Sequence, residues 1–207
     1  MTIQAIKRAI KWLLSPPLVE RGPGPGVYLT FDDGPHPEYT PRILDALKSC
    51  NAKATFFMIG SEMERYPGLV ADVLAQGHTI GLHSYRHAHP RSLSVAEAVQ
   101  DIRRSMDLAR RFGFELRYYR PPYGELLVVQ ILLCAWKGIG VVLWSKEGRD
   151  SFMTRQDELL ARFRDLRVLD GDILLLHDDS AVTAEALPKL LEMLGVDGTR
   201  FVALGEA

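Results

Sequence analysis

Two histidines and two adjacent acids are the side chains of this 207-residue sequence that are best suited to metal chemistry. His83 and His87 are four residues apart, and Asp32 and Asp33 open an Asp-Asp-Gly-Pro segment. Two imidazoles and one carboxylate leave an open position on a zinc-like ion, as catalytic metal sites require. Such an ion activates water for hydrolysis, and Asp32 would be free to accept a proton. A plain turn and solvated loop histidines are the alternatives.

Two further side chains are candidates for roles beside such a site. His177 follows an apolar run and precedes Asp178, so its imidazole is a candidate general acid. Arg120 stands before Pro-Pro-Tyr-Gly, and its fixed positive charge could hold a carboxylate. A histidine that caps a strand and an arginine in a surface ion pair are the corresponding alternatives.

Short apolar segments alternate with helix-like segments, and the polar clusters follow the apolar ones. The strand-like segments are Val27–Phe31, Ala54–Ile59, Thr79–His83, Tyr118–Arg120, Val141–Trp144, Ile173–Leu176 and Phe201–Leu204. The helix-like segments are Pro41–Ser49, Pro67–Gln76, Val95–Phe112, Leu126–Lys137, Gln156–Leu166 and Ala184–Leu194. This alternation predicts an α/β fold whose parallel sheet curls into an irregular barrel or stays open and doubly wound. Since the carboxyl ends of parallel strands converge, we expect the polar clusters to meet.

Four motifs occur together in the order that one enzyme family shows. They are Thr30-Phe31-Asp32-Asp33-Gly34-Pro35, His83-Ser84-Tyr85-Arg86-His87, Arg120-Pro121-Pro122-Tyr123-Gly124 and Leu174-Leu175-Leu176-His177-Asp178. From Val27 to Leu204 the chain resembles the polysaccharide deacetylases, the NodB-homology group also called carbohydrate esterase family 4. The resemblance implies a distorted (β/α)7-type barrel that removes the N-acetyl group from an N-acetylated amino sugar and releases acetate. The sugar could belong to a polysaccharide, an oligosaccharide or a lipid-linked glycan.

The resemblance also implies roles for individual residues. The implied ligands of a divalent metal ion, commonly zinc, with cobalt, nickel and manganese as alternatives, are Asp33, His83 and His87. The implied catalytic residues are the base Asp32, its orienting residue Arg120, the acid His177 and its orienting residue Asp150. The implied substrate-binding residues are Pro122, Tyr123, whose backbone N–H would stabilise an oxyanion, and Leu175, in the wall of the acyl pocket.

One motif departs from the family pattern. Members commonly read Trp-Ser-x-Asp-x-x-Asp-Trp where this chain reads Trp-Ser-Lys-Glu-Gly-Arg-Asp-Ser, so Ser151 stands where a pocket tryptophan is expected. Losing that wall would open the acyl pocket or let Phe152 fill it. Two alternatives therefore stay open: a deacylase or deformylase of another amide, and a non-catalytic glycan-binding protein on the same fold.

The composition is that of a soluble globular protein. Hydrophobic residues make up 47% and charged residues 25% of the chain. The net charge of −1 lacks the basic excess of nucleic-acid-binding proteins, so no nucleic-acid partner is expected. The sequence contains no apolar run of about 20 residues, so we expect no transmembrane helix. The two cysteines, Cys50 and Cys134, form no disulfide framework, and Cys134 is expected to be buried.

The first 26 residues differ from the rest of the chain. Residues 1–26 predict a basic amphipathic helix and a Gly/Pro linker, and residues 27–207 a catalytic domain. The helix either packs on the domain or lies in the plane of an anionic membrane. We recognise no signal peptide, so we expect a cytoplasmic protein that is membrane-associated if the helix binds lipid. The sequence predicts no oligomeric state.

Overall fold

One parallel sheet organises the computed structural model, which describes residues 18–196 and 198–205. Its strands are β1 (Leu18–Val19), β2 (Val27–Asp32), β3 (Thr55–Met58), β4 (Thr79–Leu82), β5 (Tyr118–Tyr119), β6 (Gly140–Val142), β7 (Lys146–Glu147), β8 (Ile173–His177) and β9 (Phe201–Val202). The strand order is β1-β6-β5-β4-β3-β2-β8-β7, and β9 also pairs with β2. All these pairings are parallel, as predicted.

The sheet curls because the stretch of chain from β6 to β7 pairs with strands near both edges of the sheet. β6 pairs with β1 and β5, whereas β7, which begins four residues after β6 ends, pairs with β8. Between them, the Leu143 N–H donates to the Val19 carbonyl and the Ser145 N–H donates to the Ile173 carbonyl. The curled sheet confirms the predicted distorted barrel, with nine described strands rather than seven. The open, doubly wound sheet was the wrong alternative.

Helices connect most of the strands and cover the outer face of the sheet. They are α1 (Tyr39–Ser49), α2 (Gly60–Arg65), α3 (Pro67–Ala75), α4 (Val95–Phe112), α5 (Val128–Lys137), α6 (Gln156–Asp165) and α7 (Ala181–Leu194). The bounds of α4 and the capping box between Ser94 and Glu97 are confirmed. Within the part of the chain that the structure describes, no helix has the length and apolar character needed to cross a membrane.

The alternation of side chains along β2 and β8 separates the core from the barrel interior. Val27, Leu29 and Phe31 of β2 pack in the core beneath the helices, together with Leu174 and Leu176 of β8. The intervening residues face the interior of the barrel. They are Tyr28, Thr30, Asp32, Ile173, Leu175 and His177. The two strands therefore present an acid and a histidine on the same face, at their carboxyl ends.

The region before β2 is only partly described. The predicted N-terminal helix falls in residues 1–17, which lie outside the described residues. From Leu18 onward the chain joins the sheet through β1, and Arg21 pairs with the buried Asp172 at 2.6 Å. The sheet therefore begins before the Gly/Pro segment. Cys134 is buried, as expected, and Cys50 is exposed.

Candidate active site

The sequence-predicted metal ligands lie together at the carboxyl end of the sheet. Asp33 follows β2, and His83 follows β4. Asp33 Oδ1 lies 3.4 Å from His83 Nε2 and 3.2 Å from His87 Nε2, and the candidate ligand atoms all fall within 4.8 Å of one another. His83 Nδ1 donates to the Arg120 carbonyl at 2.8 Å, because a carbonyl can only accept. That bond fixes the imidazole so that the lone pair of Nε2 faces Asp33.

The electrostatics of these three residues suit a cation. Asp33 Oδ1 is buried and has no hydrogen-bond partner among the described residues. Burial and the neighbouring charge of Asp32 raise the pKa of Asp33 to about 7. Burial lowers the pKa of His83 to about 4 and also lowers that of His87, which favours neutral imidazoles able to act as ligands. A divalent ion would satisfy the orphaned oxygen, so these residues fit the metal that their types predict.

Strained backbone accompanies the same residues. Asp33 has φ 76°, Ser84 has φ 63° and His87 has φ 52°, all in the left-handed region that non-glycine residues rarely adopt. Tyr123, with φ 59°, shares this conformation. Such residues cluster at functional sites, where the surrounding contacts over-determine them.

Arg120 holds the candidate base Asp32 from inside the barrel. The Arg120 side chain is fully buried, and its Nη1 donates to Asp32 Oδ1 and to Thr30 Oγ1, both at 2.7 Å. Its Nη2 donates to the Leu143 carbonyl at 2.9 Å. Asp32 Oδ2 stands on the metal side, 3.7 Å from His83 Nε2. One carboxylate oxygen is thus anchored, and the other faces the candidate ligands.

Asp150 holds the candidate acid His177. Asp150 Oδ1 lies 3.0 Å from His177 Nδ1, and its Oδ2 accepts from the His177 backbone N–H at 2.8 Å and from the Thr183 hydroxyl. Burial lowers the pKa of His177, but the hydrogen bond and charge of Asp150, with the charges of Asp32 and Asp33, raise it to about 9. This pKa favours the protonated imidazole near neutral pH, with Nδ1 donating to Asp150 and with no described residue hydrogen-bonded to Nε2.

Asp178, next to His177, has a different task. Its carboxylate is fully buried and accepts from the Thr40 hydroxyl at 2.6 Å. A Cβ on Gly34 would lie 2.0 Å from Asp178 Oδ2, so only glycine leaves room for this carboxylate. The Asp178 N–H donates to the Asp32 carbonyl at 3.1 Å. Asp178 therefore packs the turn that carries Asp33 and Gly34 against the end of β8.

The candidate substrate-binding residues differ in their exposure to solvent. Leu175 is buried on the interior face of β8, and Pro122 is also buried. Tyr123 is 58% exposed, and its ring centroid lies 4.9 Å from that of His87. Ser151 is exposed and Phe152 is 85% exposed, so the phenyl ring does not fill the place of the missing tryptophan.

Three residues in these contacts had no assigned role in the sequence analysis. Thr30 accepts from Arg120 and donates to the Leu174 carbonyl at 2.7 Å. Thr183 bonds Asp150, and Trp144 lies against the backbone of Gly124, where an added Cβ would meet its ring at 3.1 Å. Thr30 and Trp144 belong to the sequence motifs of the family, which is a weak signal of their roles, whereas Thr183 lies in none of these motifs.

Comparisons with known proteins identify the family to which the chain belongs. The family model described as polysaccharide deacetylase matches residues 20–133. A peptidoglycan-N-acetylglucosamine deacetylase of Bacillus cereus is 37% identical over 185 residues, which cover 87% of this chain and 86% of that protein. A second Bacillus cereus protein of the same name is 34% identical over 183 residues, or 86% of this chain. The chain spans 66% of that relative's length, just under two thirds.

A solved structure resembles the whole described fold. It is that of a peptidoglycan N-acetylglucosamine deacetylase in complex with 4-naphthalen-1-yl-N-oxidanyl-benzamide. It superposes with a TM-score of 0.86 at 32% sequence identity, and the match covers 94% of this chain and 94% of that one. The likeness therefore extends over nearly the whole length of both chains.

Proposed function

Because the chain belongs to the polysaccharide deacetylase family, we propose that it removes the N-acetyl group from an N-acetylated amino sugar and releases acetate. The observation that carries the proposal is the convergence of a metal triad, an arginine-anchored acid and an aspartate-held histidine on one end of the sheet. The similar Bacillus cereus proteins are named for activity on N-acetylglucosamine in peptidoglycan. An amino sugar of a cell-wall glycan or a related oligosaccharide is therefore the proposed substrate class.

The proposed cofactor is zinc, held by Asp33, His83 and His87. Two imidazoles and one carboxylate with an open position are one of the established donor sets of catalytic zinc. Bound there, a divalent ion would activate water and polarise the amide carbonyl. Imidazole ligands also suit cobalt and nickel. The donor set therefore indicates a class of divalent transition-metal ions, of which zinc is the one we propose.

The residues of the chain then divide the proton transfers between them. Asp32 Oδ2 accepts the proton of the attacking water, while Arg120 keeps Oδ1 in place. His177 donates the proton on Nε2 to the departing nitrogen, so that the C–N bond breaks and a neutral amine leaves. Asp150 stabilises the imidazolium before that transfer. The backbone N–H of Tyr123 is the proposed donor to the oxyanion, a type of contact often worth several kcal/mol.

The acyl group is the less restricted part of the proposal. Ser151 and Phe152 are both exposed, so no aromatic ring from this segment closes the acyl side of the site. This exposure favours tolerance of acyl groups other than acetyl. A series of N-formyl, N-acetyl and N-propionyl glucosamine oligomers would rank them by kcat/KM. If only the formyl or propionyl compounds were hydrolysed, the function would be that of a deacylase of another amide and not that of a deacetylase.

Acetate release from N-acetylglucosamine oligomers by the zinc-loaded chain tests the proposal. We expect Asp32→Asn, which keeps the shape but cannot accept the proton, to lower kcat by at least about 100-fold. Asp157→Asn is the matched control, because Asp157 is an exposed acid that pairs with the exposed Arg155 and with none of the candidate site residues. Full activity in Asp32→Asn, or in chelator-treated protein shown to be metal-free, would overturn the mechanism. No release of any acid from the acyl series would overturn the function.

A further inference from the structure

The turn between the two candidate histidine ligands has an unfavourable backbone. Ser84 has φ 63° and His87 has φ 52°, and left-handed conformations cost L-residues of order 1 kcal/mol each. The Ser84 hydroxyl accepts from the His87 N–H at 2.9 Å, which closes the turn locally. Contacts from outside the turn are still needed to hold His83 and His87 at one separation.

Helix α2 holds the carbonyl side of this turn. The Gly60 N–H donates to the Ser84 carbonyl at 2.9 Å, and the Ser61 N–H donates to the Tyr85 carbonyl at 3.0 Å. The first N–H groups of a helix have no partner within it, so this end of α2 and the turn satisfy each other. A Cβ on Gly60 would lie 2.6 Å from the Tyr85 ring, so the close approach requires glycine.

Asp101 of α4 holds the opposite, N–H side. Asp101 Oδ2 accepts from the Tyr85 backbone N–H at 2.7 Å, midway between the two histidines. Its Oδ1 is buried, has no hydrogen-bond partner in the described part of the chain and lies 3.8 Å from Arg86 Nε. Both polar approaches to this carboxylate therefore come from the turn.

The position of Asp101 is costly unless it serves the turn. It is only 4% exposed and lies on the buried face of α4 with Ala98, Ile102 and Leu108. Burying a carboxylate among apolar side chains carries a desolvation penalty that an apolar residue would avoid. What the carboxylate contributes here is the close hydrogen bond to the Tyr85 N–H and the longer ion pair with Arg86, both of them contacts to the turn.

We propose that Asp101 is a positioning residue for the metal site, because it sets the separation and orientation of His83 and His87 through the Tyr85 backbone. The inference rests on the proposed function, since it takes both histidines as metal ligands. The Tyr85 side chain is anchored separately, by its hydroxyl donating to Glu64 at 2.6 Å. Loss of Asp101 would therefore release the N–H side of the turn at Tyr85, while the carbonyl side stays bonded to α2 and the phenol hydroxyl stays bonded to Glu64.

Cobalt(II) titration of the full chain, followed by its visible absorption, tests the inference. Asp101→Ala removes the acceptor, and we expect cobalt affinity to fall about tenfold or more and the absorption band to shift. Asp101→Asn keeps an oxygen for the Tyr85 N–H, so we expect affinity and spectrum close to wild type. Ser105→Ala is the matched control: it loses a buried bond to the Asp101 carbonyl at 3.0 Å on the same helix, without touching the turn.

The outcomes separate this inference from the proposed function. Wild-type affinity and spectrum in Asp101→Ala, with a lowered free energy of unfolding, would make Asp101 merely structural and overturn the inference alone. A wild-type chain that binds no cobalt would overturn both. If the alanine variant does not fold, Asp101→Glu replaces it, because the extra methylene displaces the turn. An unchanged band and affinity in Asp101→Glu would then refute the positioning role.

Discussion

Replacing Asp150 by asparagine tests how His177 keeps the proton that it gives to the leaving amine. In the wild type, burial lowers the pKa of His177, and the hydrogen bond and charge of Asp150 are the largest effects that raise it to about 9. Asparagine removes the charge, and its amide can donate to Nδ1, which favours neutral imidazole. We therefore expect the pKa of His177 to fall towards its ordinary value of 6.5.

The size of the effect follows from this change in pKa. A rise in the His177 pKa from 6.5 to about 9 corresponds to about 3 kcal/mol in favour of the imidazolium. At pH 8 a histidine of pKa 9 is about 90% protonated, and one of pKa 6.5 about 3%. The variant should therefore lose up to about 30-fold in kcat at pH 8, the limit set by a wild-type pKa of about 9, but less than about twofold at pH 6. A bound cation would offset the charge of Asp33 and move the wild-type limb below pH 9.

The assay is kcat for acetate release between pH 5.5 and 9.5, with saturating substrate and metal. The acid form is the active one, so activity declines as pH rises through the pKa of His177, and Asp150→Asn should shift that decline to lower pH. The imidazole resonances of His177, followed by NMR, would report the same shift directly. An alkaline limb at the wild-type position, or an equal loss at every pH, would refute the assignment of Asp150 to the acid's pKa.

Three other predictions concern stability and reactivity. Gly34→Ala forces a Cβ to within 2.0 Å of Asp178 Oδ2 and should lower the free energy of unfolding by about 1–3 kcal/mol in urea titrations. Gly68→Ala, whose added Cβ meets no atom of the described neighbours within 4 Å, should raise the free energy of unfolding by about 0.5 kcal/mol. Equal effects of the two substitutions would contradict the packing of the Asp178 carboxylate. Burial raises the pKa of the Cys134 thiol to about 12, so a thiol reagent should label only Cys50 in the folded chain and both after denaturation. Removing metal with a chelator should lower Tm, because a buried carboxylate oxygen loses its partner, and added zinc should restore Tm; an unchanged Tm would count against the triad as a metal site.

Elements with local signals could be predicted from the sequence. The α4 helix has a capping box at its start and ends at Gly113, which adopts φ 75°, and both of its bounds follow from these residues. The α2 helix has six residues, and Ile59 before it makes no side-chain cap. Its first N–H groups instead bond a turn more than 20 residues away in sequence, which no local pattern shows. β1 and β7 are two-residue strands that exist only through pairing with distant partners.

The candidate site divides in the same way. The ordered motifs predict which acids and histidines should meet, because the carboxyl ends of parallel strands converge. The residues that hold these acids and histidines in place are of common types and have no local sequence pattern that marks their roles. Thr30 is 90 residues from Arg120, Thr183 is 33 from Asp150, and Asp101 is 16 from Tyr85. Their roles depend on tertiary contacts that no spacing in one sequence encodes.

The alternating faces of β2 and β8 allow the barrel to evolve along two separate lines. Substitutions at outward positions such as Leu29 and Leu176 alter helix packing, and those at inward positions such as Thr30 and Leu175 alter the reaction centre. Adjacent residues of one strand are thus under different selection: for folding at one position and for catalysis at the next. A library randomised at the outward positions alone should change thermostability while leaving substrate preference in place.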